Sequence, residues 1–157
     1  MIFLLDTNAF SDLMREHPTI EARIAALSDD DDSVIICPVV RGEILYGVAR
    51  LPHGKRRTDL KSKADKLFAS VPCEVIPEAA GDHYANAKIA SQSRGLTLDE
   101  NDLWLAATAL AAGAVLVTRD NDFQQIDGLK VIDWTVDDNT PITGDFVRTV
   151  IRKAGKR

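Results

Sequence analysis

The chain has 157 residues, 45% of them hydrophobic and 27% charged, with a formal net charge of −5. That length fits one ordinary domain, which buries roughly 70% of its unfolded surface and needs no disulfide or zinc staple. The composition excludes a disordered chain, a collagen-like rod and a small disulfide scaffold. No apolar run approaches the roughly 20 residues of a membrane span. The opening MIFLLDTNAF has no basic stretch ahead of its apolar run and meets Asp6 too early for a signal peptide. A soluble, cytoplasmic protein is therefore expected, with Cys37 and Cys73, each inside an apolar stretch, as small buried thiols.

Ile2 to Leu5 is a short apolar run of the kind a buried parallel strand shows. Thr7 to Glu16 reads as a helix with Phe10, Leu13 and Met14 on one side, and Pro18 opens another through Leu27. Asp29 to Asp32 is a solvated turn, because adjacent like charges repel. Ser33 to Cys37 is the second strand, Val39 to about Leu51 a helix, and Lys55 to about Ser70 a polar helix. Cys73 to Ile76 reads as a third strand, and Glu78 to Arg94 as helix. Asn101 to Ala112 is an Ala- and Leu-rich helix that Gly113 ends, before a fourth strand from Ala114 to Thr118. A short helix from Asn121 to Ile126 leads to a fifth strand, Lys130 to Asp133. Strands alternating with helices predict an α/β fold, a three-layer α/β/α sandwich around a mainly parallel sheet. The expected division is a domain over residues 1–135 and a basic C-terminal extension over 136–157, carrying an amphipathic helix with Phe146, Val147, Val150 and Ile151.

Charge is uneven along this order. Pro141 to Arg157 carries five basic residues against Asp145, a net of +4, which leaves −9 for residues 1–140. A second basic island, Arg50 to Lys66, sets seven Lys and Arg against Asp59 and Asp65. Such islands on an acidic body suit either contact with a polyanion or an ordinary solvated surface.

In an open parallel sheet, ligands bind outside the carboxyl ends of the strands. Asp6 follows the first strand and Asp120 closely follows the fourth; Glu43 lies in the second turn of the helix leaving strand two, and Asp102 opens the helix returning to strand four. Each has a bland use: Asp6 as a helix cap, Asp102 as a first-turn acid behind an Asp99 cap, Asp120 with Asp122 in a polar turn. Glu43 is less easily explained, since Val39, Val40, Tyr46 and Gly47 flank it on the helix and a partner is needed, Arg41 or Arg50 or a cation. Four carboxylates on one rim raise one another's pKa unless a cation sits between them. Oxygen ligands without histidine or thiol select a hard ion, Mg²⁺ or Mn²⁺. His17, His53 and His83 form no zinc spacing, and G-x-S-x-G, P-loop and Gly-rich phosphate cradles are absent from the sequence.

LLDTN at the end of strand one, RGEILYG on the following helix, NDLWLAATAL and LVTRDNDF together resemble PIN-domain ribonucleases, and within them VapC-type toxins of bacterial toxin–antitoxin modules. The resemblance runs from Met1 to about Trp134. It implies Asp6, Glu43, Asp102 and Asp120 as the catalytic, metal-binding acids, with Thr7, Asn8, Thr118 and Asp122 as supporting polar residues. It further implies a Mg²⁺- or Mn²⁺-dependent endoribonuclease acting on RNA, a homodimer, inhibition by a cognate antitoxin, and DNA contact only through that antitoxin. The basic island would guide the RNA backbone, and its helical hairpin, with apolar Leu51 and Leu60 expected to be exposed, would meet a second copy or the antitoxin. Two rivals remain at this stage: a non-catalytic PIN-like module whose acids are caps, and a phospho-aspartate enzyme, which usually has a second acid where this chain has Asn8.

Overall fold

A computed structural model describes residues 1–136. The basic extension and the helix expected within it lie outside the described residues, apart from Val136. The described elements are β1 (Ile2–Leu5), α1 (Thr7–Met14), α2 (Pro18–Ala25), β2 (Ser33–Ile35), α3 (Pro38–Ala49), α4 (Lys55–Ser70), α5 (Ala80–Ser93), α6 (Glu100–Ala112), β3 (Val115–Val117), a 3₁₀ turn (Asn121–Gln125) and β4 (Lys130–Ile132). The α/β class with helices flanking a parallel sheet is as the sequence pattern predicts.

The sheet runs β2-β1-β3-β4, and every pairing is parallel. Its register sets Ile2 opposite Ser33 and Leu5 opposite Val117. The connection leaving β1 goes to β2 on one side, while that leaving β3 goes to β4 on the other. The crevice between the carboxyl ends of β1 and β3 is therefore the switch point where such sheets bind ligands.

The central strands are apolar on both faces because both are covered. Phe3, Leu4, Leu5, Val115, Leu116 and Val117 are all buried. Trp134 folds back from the end of β4 to pack on Phe3, with ring centroids 5.1 Å apart. Phe10 of α1 stacks on Phe68 of α4 at 5.2 Å, pinning that long polar helix to the core. Burying each such side chain stabilises the fold by about 2–3 kcal/mol before chain entropy is counted. α5 and α6 form an antiparallel hairpin tied by Tyr84 stacked on Trp104, with centroids 4.4 Å apart.

Several local expectations are corrected. Cys73 to Ile76 is not a strand. Only Cys73 bridges the sheet, opposite Ile36, through Ile36 N–H to Pro72 O and Glu74 N–H to Ile36 O, both 2.9 Å. Pro72 and Pro77 bracket the segment and donate nothing to a ladder, and Val75 is 79% exposed, which leaves Ile76 as the residue of the four that packs against the core. Cys73 is exposed, whereas Cys37 is buried as expected. Helix α1 stops at Met14 rather than Glu16 because Glu16 takes a left-handed conformation, φ 58°. Leu51 and Leu60 are half-buried rather than exposed, Leu60 packing against the core. No helix among the described residues is long and apolar enough to cross a membrane.

Candidate active site

β1 delivers Asp6 to the switch point. Its backbone N–H donates to Val117 O of β3 at 3.0 Å, extending the β1–β3 ladder by one bond and fixing the residue's position. Its carboxylate caps α1, accepting from Ala9 N–H at 2.6 Å, and is only 3% exposed. The capping use read from the sequence is thus real. Burial raises the Asp6 pKa, opposed by a hydrogen bond with the buried Thr118 hydroxyl, the Ala9 amide and the charge of Arg119. Thr118 in turn accepts from Asp120 N–H at 3.0 Å, so one hydroxyl couples the acid after β1 to the acid after β3.

Pro38 starts α3 and carries Glu43 up to the same rim one and a half turns on. Glu43 accepts hydrogen bonds from the Thr7 hydroxyl and from Asn101 Nδ2, the latter at 3.0 Å. The guanidinium partners expected from sequence are engaged elsewhere: Arg41 lies 4.3 Å over the Phe68 ring, and Arg50 5.9 Å over Tyr46. Neutral donors leave the Glu43 charge in place rather than cancelling it.

Asp99 caps α6 through Asn101 N–H at 2.8 Å, and Asp102 stands in its first turn. The Asp102 pKa is pushed up to about 6, first by burial and then by the negative charges of Asp99, Asp120, Glu43 and Asp6. Three of those four belong to the predicted set and come from three other segments. Asp120 caps the 3₁₀ turn, accepting from Asp122 N–H at 2.9 Å.

Of the supporting residues, Thr7 and Thr118 bind the acids directly. Asn8 is exposed on the first turn of α1. Asp122 is exposed and accepts from Gln125 Nε2 at 3.3 Å within its own turn. Sequence reasoning missed Asn101, although it precedes Asp102 in the NDLW motif, and missed Asp12. Asp12 is buried among the apolar residues of α1, with Arg119 Nη1 2.9 Å from Oδ2 and Arg15 Nη1 3.3 Å from Oδ1. An acid beside Leu13 and Met14 on an apolar helix face was the available signal.

Among the described residues, no three His, Cys, Asp or Glu side chains close into a shell that would hold an ion directly. Charge repulsion acts over several ångströms while direct ligation requires contact near 2 Å, so the two observations agree. The donor chemistry fits a hard divalent ion reached in part through water: carboxylate oxygens, held by neutral hydroxyl and amide groups.

A family model described as PIN domain matches residues 3–129. The chain belongs to the PIN-domain family. It is similar to Ribonuclease VapC1 of Haemophilus influenzae, 29% identical over 137 residues that cover 86% of this chain and 99% of that protein. Among solved structures it resembles VapBC2 from Rickettsia felis bound to a DNA fragment from their promoter, with TM-score 0.77 and 26% identity over 85% of this chain and 99% of that one. It also resembles VapBC-1 from nontypeable Haemophilus influenzae, with TM-score 0.75 and 28% identity over 87% of this chain and 100% of that one. The family match spans Asp6, Glu43, Asp102 and Asp120 alike.

Proposed function

We propose that this PIN-domain chain is a divalent-ion-dependent endoribonuclease, the toxin of a VapC-type toxin–antitoxin module, and that Asp6, Glu43, Asp102 and Asp120 form its active site. The observation that carries the reading is the convergence of these four acids, from four segments, at the carboxyl ends of β1 and β3, close enough that Asp120, Glu43 and Asp6 join burial and Asp99 in raising the Asp102 pKa. A set of caps has no need to be gathered where its members repel one another. The ribonuclease names of the relatives give the same reading its substrate class.

Bound Mg²⁺ or Mn²⁺ would be held by these carboxylates, partly through water, and supplies activation of water and charge stabilisation on the leaving oxygen. The protein's own share is positioning. Asp6 is fixed by the Ala9 amide and Thr118. Glu43, held by Thr7 and Asn101 with its charge intact, orients the attacking water and accepts its proton. Thr118 ties Asp6 to Asp120 so that the two sides of the crevice keep their spacing. The basic face of α4 guides the RNA backbone toward the rim, an attraction that weakens as salt rises. The partners that follow are RNA, a cognate antitoxin and a second copy of the chain, with DNA contacted through the antitoxin, in the cytoplasm.

The test is cleavage of RNA in Mg²⁺ by the wild-type chain, Asp6→Asn and Asp102→Asn. Both variants are expected to lose at least about 100-fold in rate. Rates within threefold of wild type, in folded protein, would return these acids to capping duty. Sequencing the RNA ends produced on induction of the chain without its antitoxin identifies the target.

A further inference from the structure

We propose that Arg119 contacts the scissile phosphate, and that the buried Asp12 is the positioning residue that aims it; the inference rests on the hydrolytic reading above. A rim of four carboxylates repels a phosphodiester, so a cation at the same place has a use that a cation elsewhere lacks. Arg119 sits in the segment leaving β3 between Thr118 and Asp120, which are themselves joined by the Asp120 N–H to the Thr118 hydroxyl at 3.0 Å. The Arg119 side chain remains 46% exposed, while that of Asp12 is 6% exposed.

The contact between them has an unusual form. Nη1 of Arg119 lies 2.9 Å from Asp12 Oδ2, yet that oxygen, buried, has no hydrogen-bond partner among the described residues. The pair is an attraction of charges without an aligned N–H. Neutralising Asp12 does not require Arg119 alone, since Arg15 reaches the other oxygen at 3.3 Å. What the second arginine gains from Asp12 is a fixed place at the crevice. With Nη1 at Asp12, the N–H groups on Nη2 and Nε are the part of the fork left to meet non-bridging phosphate oxygens, which lysine does not match bidentately. Arg119 transfers no proton; it stabilises the charge that grows on those oxygens as the phosphorus–oxygen bond to the leaving group breaks.

The experiment measures kcat, KM and melting temperature for wild type, Arg119→Ala, Arg119→Lys and Asp12→Asn on one RNA in Mg²⁺. Arg119→Ala is expected to lose about 100-fold in kcat with a smaller change in KM, and free guanidinium at tens of millimolar to restore at least about tenfold. Arg119→Lys keeps part of the rate, and Asp12→Asn loses about tenfold with retained guanidinium chemistry. If Arg119→Ala unfolds because Asp12 is left charged and buried, the Asp12→Asn/Arg119→Ala double variant removes that charge and takes its place in the assay. A folded Arg119→Ala within threefold of wild-type kcat, or one that guanidinium does not rescue, overturns the inference. A wild-type chain that does not cleave RNA overturns the hydrolytic reading instead, so the two failures are distinct.

Discussion

The molecule carries two concentrations of acid, one at each edge of its sheet, and they behave in opposite ways. At the amino edge, Asp29, Asp30 and Asp31 point into solvent, and Asp32 closes the turn before β2. Burial works upward on Asp32, but hydrogen bonds from the Met1 ammonium and the Ser28 amide, with the ammonium charge, overcome it and hold the carboxyl below the usual value. At the carboxyl edge, burial is joined rather than opposed by neighbouring charge, and Asp102 is driven up to about 6. Local density of acid therefore says little about function. What distinguishes the two edges is whether the chain supplies the counter-charge itself. At the amino edge the Met1 ammonium pairs with Asp32; the charges acting on Asp102 at the carboxyl edge are those of other carboxylates.

Asparagine substitutions break the comparison most directly. RNA cleavage falls by at least about 100-fold for Asp102→Asn and stays within twofold for Asp30→Asn, measured on one substrate in Mg²⁺. Equal losses at both edges would show that net charge, not the crevice, governs the rate. A divalent ion gives the next effect. Saturating Mg²⁺ is expected to raise the wild-type melting temperature by about 2–4 °C or more, because a ligand of the native state stabilises it by mass action. Asp102→Asn shrinks that rise, and Asp30→Asn leaves it intact.

Protonation sharpens the contrast without any substrate. Unfolded Asp titrates near pH 4, whereas Asp102 in the fold titrates at about 6. Between those values the native state keeps a proton that the unfolded chain has released. Stability contributed by this group is present below pH 4, falls as pH climbs to about 6, and is absent above it. Asp102→Asn is accordingly more stable than wild type at pH 8, by about 1 kcal/mol once the group's partial exposure is discounted, and equal to it near pH 4. Urea melts at both pH values in the absence of divalent ions check the sign.

The parts of this arrangement that were readable from sequence are those set by chain direction. β1 and β3 are short runs apolar on both faces, and whatever follows them falls on the carboxyl rim, so chain direction alone places Asp6 and Asp120 there. Glu43 and Asp102 follow from the direction of α3 and α6. The segment Cys73 to Ile76 misleads because its apolar residues suggest a strand although Pro72 and Pro77 bracket it, and no sequence pattern reveals that no layer covers Val75. The partners of Glu43 were missed for a different reason. A search for opposite charge points to Arg41 and Arg50 on its own helix, whereas Thr7 and Asn101 are neutral donors from segments 36 and 58 residues away in sequence. Asp12 was passed over because a single acid in an amphipathic helix looks like surface until the packing of α1 is known.

The smallest effect belongs to Asp32. Its carboxylate lies 2.9 Å from the Met1 ammonium in a half-open turn, and surface pairs of this kind contribute about 0.5 kcal/mol. Here the folded pKa is lowered, so the sign is the reverse of that for Asp102. The contribution is present above pH 4 and lost as pH falls through the folded value. Asp32→Asn is expected to cost about 0.5 kcal/mol at pH 7, less in 1 M salt, and nothing near pH 2. Because the pair is closed within the chain, Mg²⁺ does not change that cost, whereas it changes the effect of Asp102→Asn. Urea melts of the two variants with and without Mg²⁺ therefore separate an acid the fold has neutralised from one it has left charged; equal Mg²⁺ dependence in both would erase the distinction between the two edges.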